Sequence, residues 1–76
     1  MKKESIIEIF SDILDLEKDD IDLQSSPEDL DKWDSITNVV IIVALEEELG
    51  TKFKLEDLED IKTLNDFIEL AYKYSK

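Results

Sequence analysis

Cysteine and histidine are both absent from this 76-residue chain, and glycine and proline occur once each. Without cysteine there is no disulfide framework, no thiolate metal site and no thiol nucleophile. Without histidine, a Ser-His-Asp constellation cannot be assembled and the commonest general base is missing. So few turn residues argue against a sheet of tight hairpins and point to helices. Cations are scarce too, nine against 21 acids, for a formal charge of −12. That argues against nucleic acid and anionic membranes as partners, since both are bound through a basic face. A positively charged protein surface is the natural complement, although acidity also serves solubility. Long apolar runs are lacking as well: Glu4, Glu8 and Asp12 interrupt the N-terminal one. Neither a signal peptide nor a transmembrane helix is expected, and the chain reads as one monomeric cytoplasmic domain over 1–76.

What is present is a core. Hydrophobic residues make up 42% of the chain, enough for a small globule. Ile6, Ile9, Phe10, Ile13 and Leu14 recur at helical spacing, predicting a first helix from about Lys3 to Leu16 with Ser5 and Glu8 as its capping box. Residues 17–32 are acidic and aperiodic, a long loop whose apolar anchors are Ile21, Leu23 and Leu30. Within it, Ser26-Pro27-Glu28-Asp29 has the pattern of a short turn of helix. Leu55 to Asp60 suggests a short third helix. Thr63 and Asp66 offer the cap of a last one, from Leu64 to about Tyr74, with Leu64, Phe67, Ile68, Ala71 and Tyr72 at core spacing. The fold class is therefore all-α: a small antiparallel bundle of three longer helices and one short helix, with a long loop after the first.

The most informative stretch is Asp34-Ser35-Ile36. Asp34 suits an N-cap, Ser35 then opens a helix to about Leu49, and Gly50 closes it. One stripe of that helix contains Asn38, Ile41, Ile42, Leu45 and Leu49. A second contains Ile36, Val39, Val40 and Val43 and is continued by Glu46 and Glu47. A small bundle buries one such face and seldom both, so the stripe that runs into the acids should face water. Ser35 thus places a hydroxyl at a helix N-terminus, where dipole and unpaired N–H groups favour an anion such as a phosphate ester. By position alone it also fits an ordinary first-turn serine, and Trp33 or loop residues could cover the outer stripe.

Other chemistry is poorly provided for. The carboxylates could in principle pair as acid and base, but so small a bundle has little volume for a water-excluding pocket. Asp15, Glu17 and Asp19 alternate as in a calcium loop, yet Asp20 stands where glycine is needed and Ser26 where the bidentate glutamate belongs. No metal site and no catalytic residue is expected. The features suit a module that is modified and then presented to enzymes, and taken alone they do not name the modification.

Trp33-Asp34-Ser35-Ile36, then Val39, the run Ala44-Leu45-Glu46-Glu47-Glu48-Leu49 and Gly50, resembles the acyl carrier protein family. The resemblance extends over nearly the whole chain, through the Ile61-Lys62-Thr63-Leu64 entry to the last helix. It implies that Ser35 carries a covalent 4′-phosphopantetheine, placed there from coenzyme A by a phosphopantetheinyl transferase. It also implies that Asp34 helps position Mg²⁺ for that transfer besides capping the helix. Acyl or aminoacyl groups would ride on the arm as thioesters between enzymes such as ketosynthases, acyltransferases or adenylating ligases, in fatty acid, polyketide or related pathways. The helix after Ser35 would be the docking face, through Ile36, Thr37, Val39, Val40, Val43, Glu46 and Glu47. Here the sequence departs from the family's acidic fatty-acid type: motif D-S-L reads D-S-I, and Thr37 and Val40 stand where carboxylates are typical. Those departures and Trp33 suggest a dedicated pathway. The alternative is an unmodified acidic interaction module of the same fold.

Overall fold

The computed structural model describes residues 2–75, and it contains four α-helices. They are α1 (Lys3–Leu14), α2 (Ser35–Leu49), α3 (Leu55–Glu59) and α4 (Leu64–Tyr74), with a 3-10 turn at Lys18–Asp20. No strand occurs among the described residues, so the all-α class and the long first loop stand as expected. None of the helices is long and apolar enough to cross a membrane.

In α1, Ile6, Phe10 and Leu14 are fully buried at i, i+4 and i+8, while Ile9 and Ile13 are half-buried at the edges. Its start corrects the expected capping box. Lys2 holds the N-cap position with no side-chain hydrogen bond, and Ser5 and Glu8 lie inside the helix. It also stops two residues early, because Asp15 turns left-handed at φ 55°. Aspartate is one of the few non-glycine residues that tolerate that region. At the end of α2, Gly50 does the same at φ 66°. A Cβ there would meet no atom within 4 Å, so it is the backbone conformation, not space, that calls for glycine.

The loop from Asp15 to Asp34 is fastened at both levels. Ile21, Leu23 and Leu30 pack on the core, and the carbonyls of Leu23 and Ser25 accept from the N–H groups of Asn65 at 2.8 Å and Leu64 at 3.2 Å. Those are first-turn amides of α4, which no intrahelical carbonyl can reach. The Ser26-Asp29 stretch is a turn and not a helix. Asp29 donates its N–H to the Ser26 carbonyl, and its carboxylate accepts the Ser26 N–H at 3.0 Å.

α1 and α4 both pack on α2, which contributes Ile41 and Leu45 to the fully buried set. Ile42 and Leu49, on the same stripe, are only half-buried. Phe67 of α4 lies at the centre, its ring 6.2 Å from Phe10 and 6.0 Å from Trp33, both pairs tilted. In α4 the Thr63 and Asp66 capping box forms as expected. Tyr72 does not join the core, at 47% exposed, and Leu70, at 6%, takes its place. Tyr74, half-buried one turn after Leu70, meets the Phe53 ring edge-on at 5.1 Å.

α3 has five residues, no side-chain cap and an exposed Leu55. A polar latch holds it to α4: the Asp57 carboxylate accepts from Lys73 Nζ at 2.8 Å and from the Tyr74 hydroxyl. Lys73 first, then the Tyr74 hydroxyl, holds the Asp57 carboxyl below its usual range. A depressed carboxylate contributes stability above its unfolded pKa, near 3.8, and loses it as pH falls through the lower folded value. Asp57→Asn should therefore lower the melting temperature at pH 7, with the gap to wild type closing below pH 3.8. Circular dichroism melts of both proteins across that range provide the check; a gap independent of pH would mean the charge is not what holds α3.

Candidate functional site

The site is the first turn of α2 and the face that continues from it. Asp34, extended at φ −101°, accepts the Thr37 N–H in its carboxylate at 2.8 Å, while its carbonyl accepts the Asn38 N–H. The Thr37 backbone N–H, then its hydroxyl, depresses the Asp34 carboxyl, so it is ionised at neutral pH. Ser35 is exposed beside it as the first helical residue. The first-turn N–H groups of α2 have no intrahelical acceptor, and Asp34 satisfies one of them. The hydroxyl is therefore reachable at the positive end of a helix.

Trp33 sets the height of that turn. It is 2% exposed, and its indole N–H donates to the Asn38 side-chain oxygen at 2.9 Å. Trp33 is thus a core residue and does not cover the outer stripe. Asn38, the one polar member of the inner stripe, is there to receive that N–H; its odd position in an apolar row was the signal for it. A shallow recess of about 350 Å³ opens beside Ser35, lined by Pro27, Trp33, Asp34, Ser35, Asn38 and Ile61. Pro27 and Ile61 come from distant loops, and nothing local in the sequence assigns them to the site.

Along α2 the outer residues are open to solvent: Ile36 at 76%, Val39 at 56%, Val40 at 46% and Val43 at 44%. Thr37 is half-buried, with its N–H held by Asp34. Glu46 differs from expectation. Its carboxylate turns back to accept the Phe53 N–H at 2.9 Å and its side chain is only 12% exposed, so it ties the α2–α3 connection. Glu47 remains exposed at the far end. No group of three acidic residues able to hold a metal ion occurs among the described residues.

The site is thus an exposed serine at a helix N-terminus beside an exposed apolar face, on a small all-helical domain. Residues 4–71 match the family described as the phosphopantetheine attachment site, and the chain belongs to it. Acyl carrier proteins of three Clostridium perfringens strains, SM101, ATCC 13124 and 13, are each 36% identical to it over 69 residues. That span is 91% of this chain and 91% of each relative. The cofactor of the family is phosphopantetheine, and the chain is a carrier and not an enzyme.

Proposed function

We propose that Ser35 is the attachment point of 4′-phosphopantetheine and that the chain carries acyl or aminoacyl intermediates between biosynthetic enzymes of a fatty acid, polyketide or related pathway. The observation that supports it best is the exposed Ser35 hydroxyl at the start of α2, inside the stretch matched by the family. In the transfer, a bond forms between Ser35 Oγ and the proximal phosphorus of the coenzyme A diphosphate. The diphosphate bond breaks, adenosine 3′,5′-bisphosphate leaves, and the hydroxyl proton passes to a base of the transferase. Asp34 stands next to the incoming diphosphate with a full negative charge, which is repulsive unless a cation lies between them. A transferase-bound Mg²⁺ would meet that need, and Asp34 would serve it before returning to its cap. The residues present fit the arm: its phosphate would lie near the helix N-terminus, where N–H groups favour an anion. The recess beside Ser35, with Pro27, Trp33 and Ile61 as its apolar lining and Asp34 and Asn38 as its polar lining, would offer contacts to the rest of it. Once attached, it supplies the thiol that the chain lacks, on which cargo rides as a thioester. Its docking residues on this reading are Ile36, Thr37, Val39, Val40, Val43, Glu46 and Glu47.

The test is intact mass before and after incubation with coenzyme A and a phosphopantetheinyl transferase, with Ser35→Ala in parallel. Wild type should gain the mass of one phosphopantetheine and the variant none. A gain by Ser35→Ala would move the site to another hydroxyl. No gain by wild type, with the transferase of the same organism as well, would leave a carrier-shaped interaction module.

A further inference from the structure

We propose that Asn38 anchors the arm to the protein: with its side-chain oxygen committed to the Trp33 indole, its amide N–H₂ donates to an oxygen of the pantoyl unit and holds the first half of the arm in the recess beside Ser35. The inference deepens the carrier reading and rests on Ser35 being the attachment point.

The hydrogen bond that fixes the amide is the first ground. An indole N–H can only donate, so the Asn38 atom that faces it at 2.9 Å has to be the oxygen. The N–H₂ end is thereby turned away from Trp33. It has no partner among the described residues, and no side-chain polar atom is buried without one, so it is open to solvent. Asn38 is half-buried and tied to a tryptophan of the core, which leaves its two free donors in a set orientation. A donor group ordered in advance loses little freedom when it is used.

Placement is the second ground. Asn38 follows Ser35 at i+3, so the two are neighbours on one side of α2, and both line the recess. Beyond the phosphate, the arm begins with the pantoyl unit: two methyl groups on one carbon, then a hydroxyl and an amide carbonyl. The methyl groups suit Pro27 and Ile61, and the oxygens suit a donor. With the indole N–H used, Asp34 ionised and Ser35 esterified, Asn38 holds the side-chain donors left in that lining. Tethering chooses the occupant. A free molecule would pay for its lost translation, whereas the arm is already at high effective concentration at the mouth of the recess. At about 350 Å³ the recess lies near the small end of ligand pockets, which suits part of the arm and leaves the thiol end outside.

The experiment uses the isotope-labelled full chain, loaded at Ser35 from unlabelled coenzyme A, with intact mass confirming the loading. Isotope-filtered NOE spectra then read contacts between arm and protein. The pantoyl methyl groups should show NOEs to the Ile61 side chain and to the Asn38 N–H₂. One Asn38 N–H₂ proton should move downfield from its position in the unloaded chain. In Asn38→Asp an oxygen still faces the indole while the donors are gone. Its indole N–H signal should therefore stay near the wild-type position. Its NOEs from the arm should weaken about threefold or more, as the loss of one hydrogen bond implies. The new carboxylate also repels the phosphate, so spectra at 50 and 500 mM NaCl separate the two effects. Weakening by repulsion is screened by salt, and weakening from a lost donor persists.

Loaded wild type without NOEs between arm and recess would overturn the proposal, as would NOEs of equal strength in Asn38→Asp. Full recovery of the variant's NOEs at 500 mM NaCl would overturn it too, by assigning the effect to charge. Should the indole signal of Asn38→Asp show that its bond to Trp33 is lost, wild type decides alone. There, an Asn38 N–H₂ signal identical in loaded and unloaded chains excludes the contact, and a downfield shift with its NOE supports it. The mass measurement keeps the two readings apart. A chain loaded at Ser35 whose arm hangs free loses only this inference, and a chain that is never loaded loses both.

Discussion

Phe67→Ala should cost about 3–5 kcal/mol and move the melting temperature down by roughly 15 °C or more. Phe67 is fully buried and its ring meets both Phe10 of α1 and Trp33 at the end of the loop. Truncation removes the piece shared by three segments, and the ring contacts on both sides are lost with it. A chain of this length is stable by roughly 4–11 kcal/mol in all, so the loss takes a large share of the total. Urea denaturation followed by the fluorescence of the single tryptophan gives the measurement. A shift under about 1 kcal/mol would mean that the centre of the core lies elsewhere.

The second large effect is at Trp33. Trp33→Ala should cost about 3–5 kcal/mol, comparable with Phe67→Ala, through lost packing alone. Asn38→Ala removes no large volume but leaves the indole N–H buried without its acceptor, at a cost of about 1–3 kcal/mol. Because the two residues share one hydrogen bond, the double variant Trp33→Phe with Asn38→Ala should cost less than the sum of the two single changes. Thermal and urea melts of the four proteins complete the cycle, and strict additivity would show that the bond contributes nothing. The same pair fixes the residue just before Asp34 and Ser35. Loosening it should also slow phosphopantetheine transfer at temperatures where the variant is still folded.

What could be read from the chain beforehand divides along the range of the forces involved. The ends of α2 and the start of α4 were legible because their caps are local: Asp34 and Gly50 for one, Thr63 and Asp66 for the other. Helical period alone sorted α2 into an inner and an outer stripe. It did not foresee Glu46, whose phase points outward. Its carboxylate is turned by the Phe53 N–H, which the Gly50 turn brings back within reach. Nor did it find Tyr72 exposed and Leu70 buried, at an end of α4 where Tyr74 meets Phe53 and Asp57, 21 and 17 positions away. The Ser5-Glu8 pair shows the converse: a good local pattern that sits one turn inside a helix makes no cap at all. Around Ser35, the residues adjacent in sequence were legible, and Pro27 and Ile61 were not.

The two carbonyls that the long loop gives to α4 have a consequence for how the domain opens. Leu23 and Ser25 are about forty residues from the amides they accept, Asn65 and Leu64. Lifting the loop therefore strips the last helix of part of its start, and fraying that helix releases the loop. The two should behave as one cooperative unit, exchanging their amide hydrogens together. Segments some forty residues apart in the sequence are thereby bound to a single opening event.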